Sequence, residues 1–298
     1  MNNNYETYSS LNIINTEKDF ENIFQKWKDK NNIQSTNKNV HSKLIELENQ
    51  FNNSFQLWKN SLKKKKIVYT AILGNYDNLQ EPKIISKDWE YICFTDTPFR
   101  FQSETWKIID IRYYEKLQKI QNKILLARTI KWNPVYMFDN IDFSIWVDAN
   151  MVINVDLDDF VNSLSKKVPI ILTKHPNRNC IYQEIIAIKS RINRNLIKEN
   201  INGVNKWTID LQYKFKYPQG NGLCQTGLKI HNHSFKHSLI NIGQLMEKIM
   251  KEYDIIRDQL IFNYICYYLN ISRIDLNPLP SIQSKEKEKH YFYLNKHK

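Results

Sequence analysis

An aspartate and an asparagine interrupt an apolar stretch in the segment SIWVDANMVINVDL, residues 144–157. If the strand predicted here continues through them, Asp148 and Asn150 point to one side of the sheet and Ala149 to the other. A carboxylate beside an amide oxygen is a suitable ligand pair for Mg²⁺ or Mn²⁺, with nucleotide phosphates completing the coordination shell. An Asp–Asn turn that closes a buried strand is the alternative, and it requires no ligand.

Two more aspartates follow short β-branched, apolar runs. Asp77 lies in the turn GNYDN after IVYTAIL (67–73), and Asp96 ends the run YICFTD (91–96). Each has an ordinary explanation, because an aspartate in a turn usually accepts hydrogen bonds from backbone N–H groups. Together with Asp148 they would put three polar groups at the carboxyl ends of three strands, where open α/β sheets bind ligands.

Basic side chains that could contact phosphates occur in two motifs. In ARTIK, Arg128 and Lys131 are three residues apart, which puts them on one face of a predicted helix. In KHPNRNCIYQE, Arg178 could bind a phosphate or pair with Glu184. His175 in the same motif could be a base, a ligand or the cap of a strand end. A solvated helix face and a structural histidine are the alternatives.

The segment YPQGNGLCQTGLKIH is dense in glycine and turn-forming residues. Gly220, Gly222 and Gly227 could let the backbone approach a ligand closely, or they could form an ordinary turn between strands. The glycine spacing matches neither GxGxxG after a first strand nor GxxxxGK[ST]. A Rossmann dehydrogenase and a P-loop NTPase are therefore disfavoured.

The motif RDQL places Asp258 and Gln259 among apolar residues of a helix predicted over 237–269. A carboxyl group that such a helix turned into a cleft would have a raised pKa and could serve as a general base. A surface pair between Arg257 and Asp258 is the alternative interpretation.

Strands and helices alternate along the chain, which predicts an α/β sheet with polar groups at its strand ends. The predicted strands are 67–73, 91–96, 143–148, 169–175 and a glycine-broken region over 222–231, and the helices are 115–132, 180–200 and 237–269. Apolar residues at helical spacing predict a helical extension over 1–62. The main domain is placed at 63–282, and 283–298 forms a basic tail.

The chain carries 43 basic and 31 acidic residues, a formal net charge of +12. This balance favours anionic partners, among them nucleotide phosphates, nucleic acid and anionic membranes. The run KKKK at 63–66 is either a solvated boundary before a strand or a contact with an anionic lipid surface.

The cysteines argue against a structural zinc site and a disulfide framework, because they are far apart and form no CxxC pair. They are Cys93, Cys180, Cys224 and Cys266. The N-terminus has no signal-peptide pattern, and no apolar run reaches about 18 residues. We therefore expect a cytoplasmic protein, with the inner face of the membrane as a further candidate location.

The order of these motifs resembles a glycosyltransferase-like family of bacteria and plants that was formerly classed as a domain of unknown function. Its plant members were named for turgor regulation and seed mucilage. The motifs are YTAILGNYD, FTD, ARTIK, IWVDANMVI, KHPNRNCIYQE, GL…TGL and RDQL, within 67–269. IWVDAN, HPNRNCIYQE and RDQL are the specific ones, whereas YTAI and FTD are shared with many nucleotide-sugar transferases.

The resemblance implies a GT-A-like fold, a nucleotide-binding mixed sheet flanked by helices. In that fold a short acidic motif, commonly DxD, ends a central strand and holds Mn²⁺ or Mg²⁺ against the diphosphate of a sugar nucleotide. Here the motif is DAN, so Asp148 matches a metal-ligand position and Asn150 matches imperfectly. Some relatives of the fold add a late histidine, to which His290 is the candidate counterpart. The shared motifs imply a nucleoside site that includes Tyr69, Thr70, Asp77 and Asp96.

The function expected from this resemblance is transfer of a sugar from a nucleoside-diphosphate sugar to a glycan or lipid-linked acceptor, such as a precursor of capsular or other cell-surface polysaccharide. Arg128, Lys131 or Arg178 would neutralise the diphosphate leaving group. Asp258 would be the base if the enzyme inverts the anomeric configuration. The other residues expected to contact substrate are His175, Glu184, Gly227 and Gln259.

Two other classes of function are compatible with the sequence. One is a non-catalytic basic module that binds nucleic acid or an anionic surface, and the other is a metal-dependent hydrolase that uses the same acidic residues. The lysines are spread along the chain and form no recognised aromatic-plus-basic RNA motif, so no nucleic-acid partner is expected.

Overall fold

The computed structural model describes residues 65–113, 117, 120–138, 140–164, 166–279 and 289–295. The helical extension predicted over 1–62 lies outside these residues, as do Lys63 and Lys64 of the lysine run and most of the predicted basic tail. The boundaries of the main domain stay predictions.

Within the described residues, seven strands form one mixed sheet. Their order across the sheet is β3 (Trp106–Asp110), β2 (Trp89–Thr95), β1 (Lys66–Ile72), β4 (Phe143–Val147), β7 (Cys224–Asn232), β6 (Ile170–Lys174) and β8 (Arg273–Leu276). β7 runs antiparallel to both of its neighbours, whereas the other pairs are parallel. The predicted mixed α/β sheet flanked by helices is confirmed.

Helices and a small second sheet cover the two faces of the main sheet. The helices are α1 (Lys123–Trp132), α2 (Pro134–Met137), α3 (Leu157–Asn162), α4 (Ile181–Asn193), α5 (Ile201–Ile209), α6 (Lys236–Tyr253) and α7 (Phe262–Tyr268). Alternate residues of β1 enter different cores: Tyr69 packs with residues of α1 and α2, and Val68 packs with residues of α3. Both faces of the central strands are therefore buried, which explains their continuous apolar sequences.

The second sheet pairs β5 (Met151–Ile153) with β9 (Phe292–Leu294) in antiparallel register. Met151 is opposite Leu294, so the strand nearest the chain terminus returns to the segment that follows Asp148. Four strands, β3, β5, β8 and β9, were not predicted, because they are short and carry no clear alternation of apolar and polar residues.

The single helix predicted over 237–269 is wrong. α6 ends at Tyr253 because Asp254 adopts a left-handed conformation with φ of 52°, and its N–H bonds to the carbonyl of Met250. An extended Arg257 and a 3₁₀ turn over Asp258–Leu260 precede α7. The RDQL motif thus lies in a connection between helices, and apolar spacing on both sides of that connection concealed it.

Two further boundaries differ from the expectation. α1 begins at Lys123 rather than near 115, since the side chain of Asn122 accepts hydrogen bonds from the amides of Ile124 and Leu125 and so caps the helix. β7 is one continuous strand of 9 residues that includes Gly227, rather than glycine-broken strands. No helix among the described residues combines the length and the apolar character that a bilayer crossing needs.

Candidate active site

The strand order reverses at β1, which has β2 on one side and β4 on the other. Open α/β sheets bind ligands at such a reversal, outside the carboxyl ends of the strands. A cavity of about 660 Å³ opens there, and its wall includes Leu73 and Asp148, which follow β1 and β4 closely. The predicted site residues on its wall are Asp77, Arg128, Lys131, Asp148, Gly227, Asp258 and Gln259.

Asp148 directly follows the last residue of β4 and is 37% exposed. Its Oδ1 accepts a hydrogen bond from Trp146 Nε1 at 2.8 Å and lies 3.4 Å from Lys131 Nζ. Its backbone N–H donates to the carbonyl of Gly227 at 2.8 Å, which fixes the end of β4 against β7. No described residue donates to Oδ2, so this oxygen is the one available to a ligand.

Asn150 does not share the cavity with Asp148. The strand ends at Val147 and a turn follows, so the strand alternation that would align Asp148 with Asn150 does not apply. Ala149 lies on the cavity wall, whereas Asn150 is buried and its side chain donates to the carbonyl of Asn295 at 2.9 Å. The expectation that Ala149 would point away from Asp148 and Asn150 is wrong, and Asn150 instead connects the chain to β9.

Lys131 is the centre of the charged network in this cavity. It is 1% exposed, and its Nζ lies 3.0 Å from Asp258 Oδ2 and 3.3 Å from Thr226 Oγ1. Arg128, one turn earlier on α1, places Nη1 at 3.6 Å from the same Asp258 oxygen and is 27% exposed. The ARTIK motif therefore faces the cavity and is not a solvated helix face.

Asp258 lies at the bottom of the network and is nearly inaccessible to solvent. Trp132 Nε1 donates to its Oδ2 at 3.0 Å, and Thr226 Oγ1 donates to its Oδ1 at 3.0 Å. Burial alone would raise the pKa of Asp258, but Arg128, Lys131 and Lys229 outweigh burial and hold the pKa well below its usual range. The expected raised pKa is therefore wrong, as is the alternative of a surface pair with Arg257.

Gly227 lies where β7 passes closest to Asp148. A Cβ at this position would meet Asp148 Oδ2 at 3.1 Å and Met151 Cε at 3.5 Å. Glycine leaves Asp148 room to keep Oδ2 toward the cavity. The reason for glycine at positions 220 and 222 is different. The φ values of Gly220 and Gly222, 69° and 78°, suit a turn before β7.

The structure separates the residues predicted for a nucleoside site. Asp77 is buried on the cavity wall. Asp96 ends β2 but pairs with Lys123 at 2.8 Å and accepts from the amide of Gly74 at 2.9 Å. Burial alone would raise the pKa of Asp96, and these contacts lower it below its ordinary value.

Tyr69 and Thr70 are fully buried within β1 and do not line the cavity. The hydroxyl of Tyr69 donates to the carbonyl of Lys131 at 3.1 Å, so it supports the end of α1. Burial raises the pKa of Tyr69 well above its ordinary value. Ala71, the next residue of the YTAI motif, is the one that reaches the cavity wall.

His175, Arg178 and Glu184 form a separate cluster at the carboxyl end of β6. Arg178 pairs with the buried Glu184, and the amides of Asn177 and Arg178 both donate to His175 Nδ1 at 3.1 Å. Burial, followed by the charge of Arg178, lowers the pKa of His175. His175 therefore acts as the cap of the strand end, one of the three roles left open for it.

His290 is exposed and does not lie beside Asp148. The register of β5 with β9 brings Asn295 to Asn150, while the amide of Asn154 donates to the carbonyl of Tyr291. His290 therefore lies at the opposite end of this strand pair from Asp148. Among the described residues, no group of three or more His, Cys, Asp or Glu side chains is arranged to hold a metal ion.

Several residues of the site were not predicted. Trp146 precedes Asp148 by two positions on β4, and this spacing could have identified it as a neighbour on the same side of the strand. Trp132, Thr226 and Arg257 are chain neighbours of predicted site residues, namely Lys131, Gly227 and Asp258, and this adjacency is the sequence signal that could have identified them.

The comparisons with known proteins identify the family of the chain. A family model described as the TOD1/MUCI70 glycosyltransferase-like domain matches residues 15–291. The chain belongs to this family. The match confirms the resemblance inferred from the motifs and extends beyond the segment 67–269 that carried them.

A search of curated proteins finds no match to the chain. Among solved structures, the chain is similar to an apo structure of the WbbM bifunctional glycosyltransferase, with 10% sequence identity and a TM-score of 0.43. The similarity covers 74% of this chain and 40% of that one, so this chain spans less than half of the length of that structure.

Proposed function

We propose that the protein transfers a sugar from a nucleoside-diphosphate sugar to a glycan or lipid-linked acceptor, such as a precursor of cell-surface polysaccharide. The observation that carries the proposal is Asp148, at the strand-order reversal, in a cavity whose wall also presents Lys123, Arg128 and Lys131. A wall rich in cations suits a diphosphate, because positive charge stabilises the charge that develops on a leaving phosphate.

In the proposed reaction, an acceptor hydroxyl oxygen forms the new bond to the anomeric carbon. The bond from that carbon to the diphosphate oxygen breaks, and its electron pair stays on the nucleoside diphosphate. The hydroxyl proton passes to solvent or to a base. Arg128 and Lys131 stabilise the departing diphosphate, and Asp77 contributes to the nucleoside subsite.

Asp258 receives a different role from the general base first expected. Its carboxylate is enclosed by donors and its pKa is lowered, which makes it a poor proton acceptor at neutral pH. Its contact with Lys131 Nζ at 3.0 Å supports a positioning role, in which Asp258 holds the ammonium group toward Asp148.

We extend the proposal to a divalent cation, Mn²⁺ or Mg²⁺, for which Asp148 Oδ2 is the available ligand. Mg²⁺ commonly binds through one or two carboxylates plus substrate phosphates, so one carboxylate oxygen fits this mode of binding. When bound, such a cation would supply further charge neutralisation for the diphosphate. Asn150 and His290 are not part of this set, because the structure gives their positions other surroundings.

The test is a thermal-shift screen of the full chain with UDP, GDP, CDP and their sugars, with and without Mn²⁺. A ligand that binds only the folded protein raises the melting temperature. A shift that needs metal supports the transferase and the Asp148 metal site. A shift without metal supports the transferase and rejects the metal.

Two further assays, of nucleic-acid binding and of sugar release, separate the other two functions. Nucleic-acid binding that weakens steeply with salt, without any sugar-nucleotide shift, would favour the basic binding module. Release of free sugar without an acceptor would favour the hydrolase.

Two variants then test the site itself. Asp148→Ala should abolish sugar-nucleotide turnover while the circular dichroism spectrum stays that of the folded protein. Asp88→Ala is the matched control, since Asp88 is an exposed carboxylate away from the cavity. Near-normal turnover by folded Asp148→Ala would reject the assignment.

A further inference from the structure

A second cavity, of about 920 Å³, adjoins the one around Asp148. The two cavities share Gln225, Arg257, Gln259 and Leu294 on their common wall. Arg257 and Gln259 flank Asp258 in the chain, so the same turn that directs Asp258 into the charged network forms the border between the cavities. A molecule in the second cavity would therefore lie next to the proposed donor site.

One face of α4 forms a large part of the second cavity. Gln183, Ala187, Arg191 and Arg194 recur at intervals of three and four residues on that wall, the spacing of a single helix face. Arg191 and Arg194 are exposed at the end of the helix. No carboxylate of the described residues forms an ion pair with either one.

The charges that line this cavity are unbalanced. Four arginines, Arg178, Arg191, Arg194 and Arg257, face a single carboxylate, Glu184. Glu184 is 2% exposed and is already paired with Arg178, so it does not neutralise Arg191 or Arg194. Arg257 has a separate, longer ion pair with Glu199.

Arg257 has hydrogen-bonding capacity that its long ion pair with Glu199 does not use. Its Nε is buried, has no hydrogen-bond partner among the described residues, and lies 3.9 Å from Glu199 Oε2. Burial lowers the pKa of Arg257, and Glu199 only partly opposes that effect. An oxyanion in the cavity would supply the hydrogen bonds that a guanidinium group prefers.

We propose that this second cavity binds an anionic group of the acceptor, a phosphate or a carboxylate, through Arg191, Arg194 and Arg257. The inference rests on the proposed sugar transfer, because the shared wall at Arg257 and Gln259 brings a bound acceptor beside the donor. It narrows the acceptor class to charged glycans or phosphate-bearing carriers and disfavours neutral sugars.

The experiment measures binding of three probes to the full chain by isothermal titration calorimetry. Methyl glucoside is neutral, methyl glucuronide carries a carboxylate, and methyl glucoside 6-phosphate carries a phosphate, on the same sugar ring. We expect one or both anionic probes to bind at least about tenfold more tightly than the neutral one, as two charge-assisted hydrogen bonds allow. The anionic probe that binds more tightly identifies the anion as a carboxylate or a phosphate.

A double variant, Arg191→Gln with Arg194→Gln, should remove this preference. The matched control is Lys189→Gln with Lys248→Gln, which removes the same number of positive charges outside both cavities and should keep the preference. Affinity for the nucleoside diphosphate should be unchanged in both proteins. The variant thereby separates the charge of this cavity from the net charge of the molecule.

Equal binding of the three probes, or no binding of either anionic probe, overturns the proposal. Loss of nucleoside-diphosphate affinity in the arginine variant also overturns it, because these arginines would then belong to the donor site. The probes are measured with and without nucleotide. An anion preference that persists in a protein that binds no nucleotide therefore rejects the sugar transfer and leaves the anion site supported.

Discussion

β4 and β7 hold two polar clusters, one at each end of the segment over which they pair, and the clusters differ in charge. The amino-end cluster of β4 contains Ser144, whose hydroxyl lies 3.2 Å from His231 Nδ1 and 2.9 Å from His233 Nε2. The carboxyl-end cluster contains Asp148, Lys131 and Asp258. The same pair of strands thus supports a neutral cluster at one end and an ionised one at the other.

The difference follows from the available counter-charges. Burial lowers the pKa of His231 well below its ordinary value and lowers that of His233 to about 4, with nearby lysines acting in the same direction. No carboxylate of the described residues pairs with either histidine, so both stay neutral. At the carboxyl end, cations and carboxylates stabilise one another and remain charged despite burial. Only that end offers fixed charge to a substrate.

Lys229 lies between the two clusters, and its charge acts on Asp258 in one and on His231 in the other. It is fully buried, and its Nζ donates to the carbonyl of Lys131 at 2.7 Å and lies 3.5 Å from the centre of the Trp132 ring. Burial, followed by the charge of Lys131, lowers its pKa well below the ordinary value. The contact supports the last turn of α1, where helix carbonyls lack partners within the helix.

The largest loss of folding stability should come from removing the counter-charge of the carboxyl-end cluster. Asp258→Asn leaves Lys131 and Arg128 without their shared carboxylate, and breaking a buried ion pair in this way costs about 3–5 kcal/mol. Urea unfolding followed by circular dichroism measures the loss. A loss below about 1 kcal/mol would show that the network does not depend on Asp258.

The two clusters should also respond to different ranges of pH. A histidine with a lowered folded pKa binds fewer protons when folded, so stability falls as the pH drops from about 6.5, the unfolded value, toward the value of about 4 for His233. An aspartate with a lowered folded pKa loses its contribution to folding stability only as the pH falls below about 3.9, the unfolded value.

The urea concentration at the unfolding midpoint, measured from pH 8 to pH 3, should therefore decrease over two separate pH ranges. His233→Gln should flatten the upper range and leave the lower one unchanged. An upper range that is equally steep in this variant would assign it to groups other than His233. The double variant His231→Gln with His233→Gln would then show whether His231 is one of them.

A smaller effect, on turnover, is expected from Gly227→Ala. The added Cβ would meet Asp148 Oδ2 at 3.1 Å and displace the carboxylate, which should lower kcat/KM for the sugar nucleotide by about 10- to 100-fold. Gly220→Ala is the contrasting variant. Its new Cβ meets no atom within 4 Å, but φ is 69°, so it should cost stability and leave turnover near normal. Equal turnover in the two variants would contradict the role of Gly227.

The smallest effect is expected from Ser144→Ala in the neutral cluster. It removes hydrogen bonds between uncharged groups and should cost about 1 kcal/mol in the free energy of unfolding. Turnover should not change, because Ser144 lies at the opposite end of β4 from Asp148. A loss as large as that of Asp258→Asn would remove the contrast between the two ends.

Much of this protein was accessible from the sequence because its signals are local. Apolar, β-branched runs located β1, β2, β4 and β6, and the residues just after them, such as Asp148, were correctly expected at one edge of the sheet. The spacing within ARTIK put Arg128 and Lys131 on one helix face, and both line the cavity. The order of motifs identified the family that the full match then confirmed.

Only the tertiary structure determined the charge state and the surroundings of those residues. The apolar neighbours of Asp258 predict a base, yet Arg128, Lys131 and Lys229 come from distant segments and lower its pKa. The spacing of Asn150 from Asp148 predicts a metal ligand, yet a turn and the return of β9 direct its side chain to Asn295. The sequence determines which residues lie near strand ends, since that depends on short-range pattern. Charge state and side-chain direction depend on contacts between segments far apart in the chain, so only the folded structure determines them.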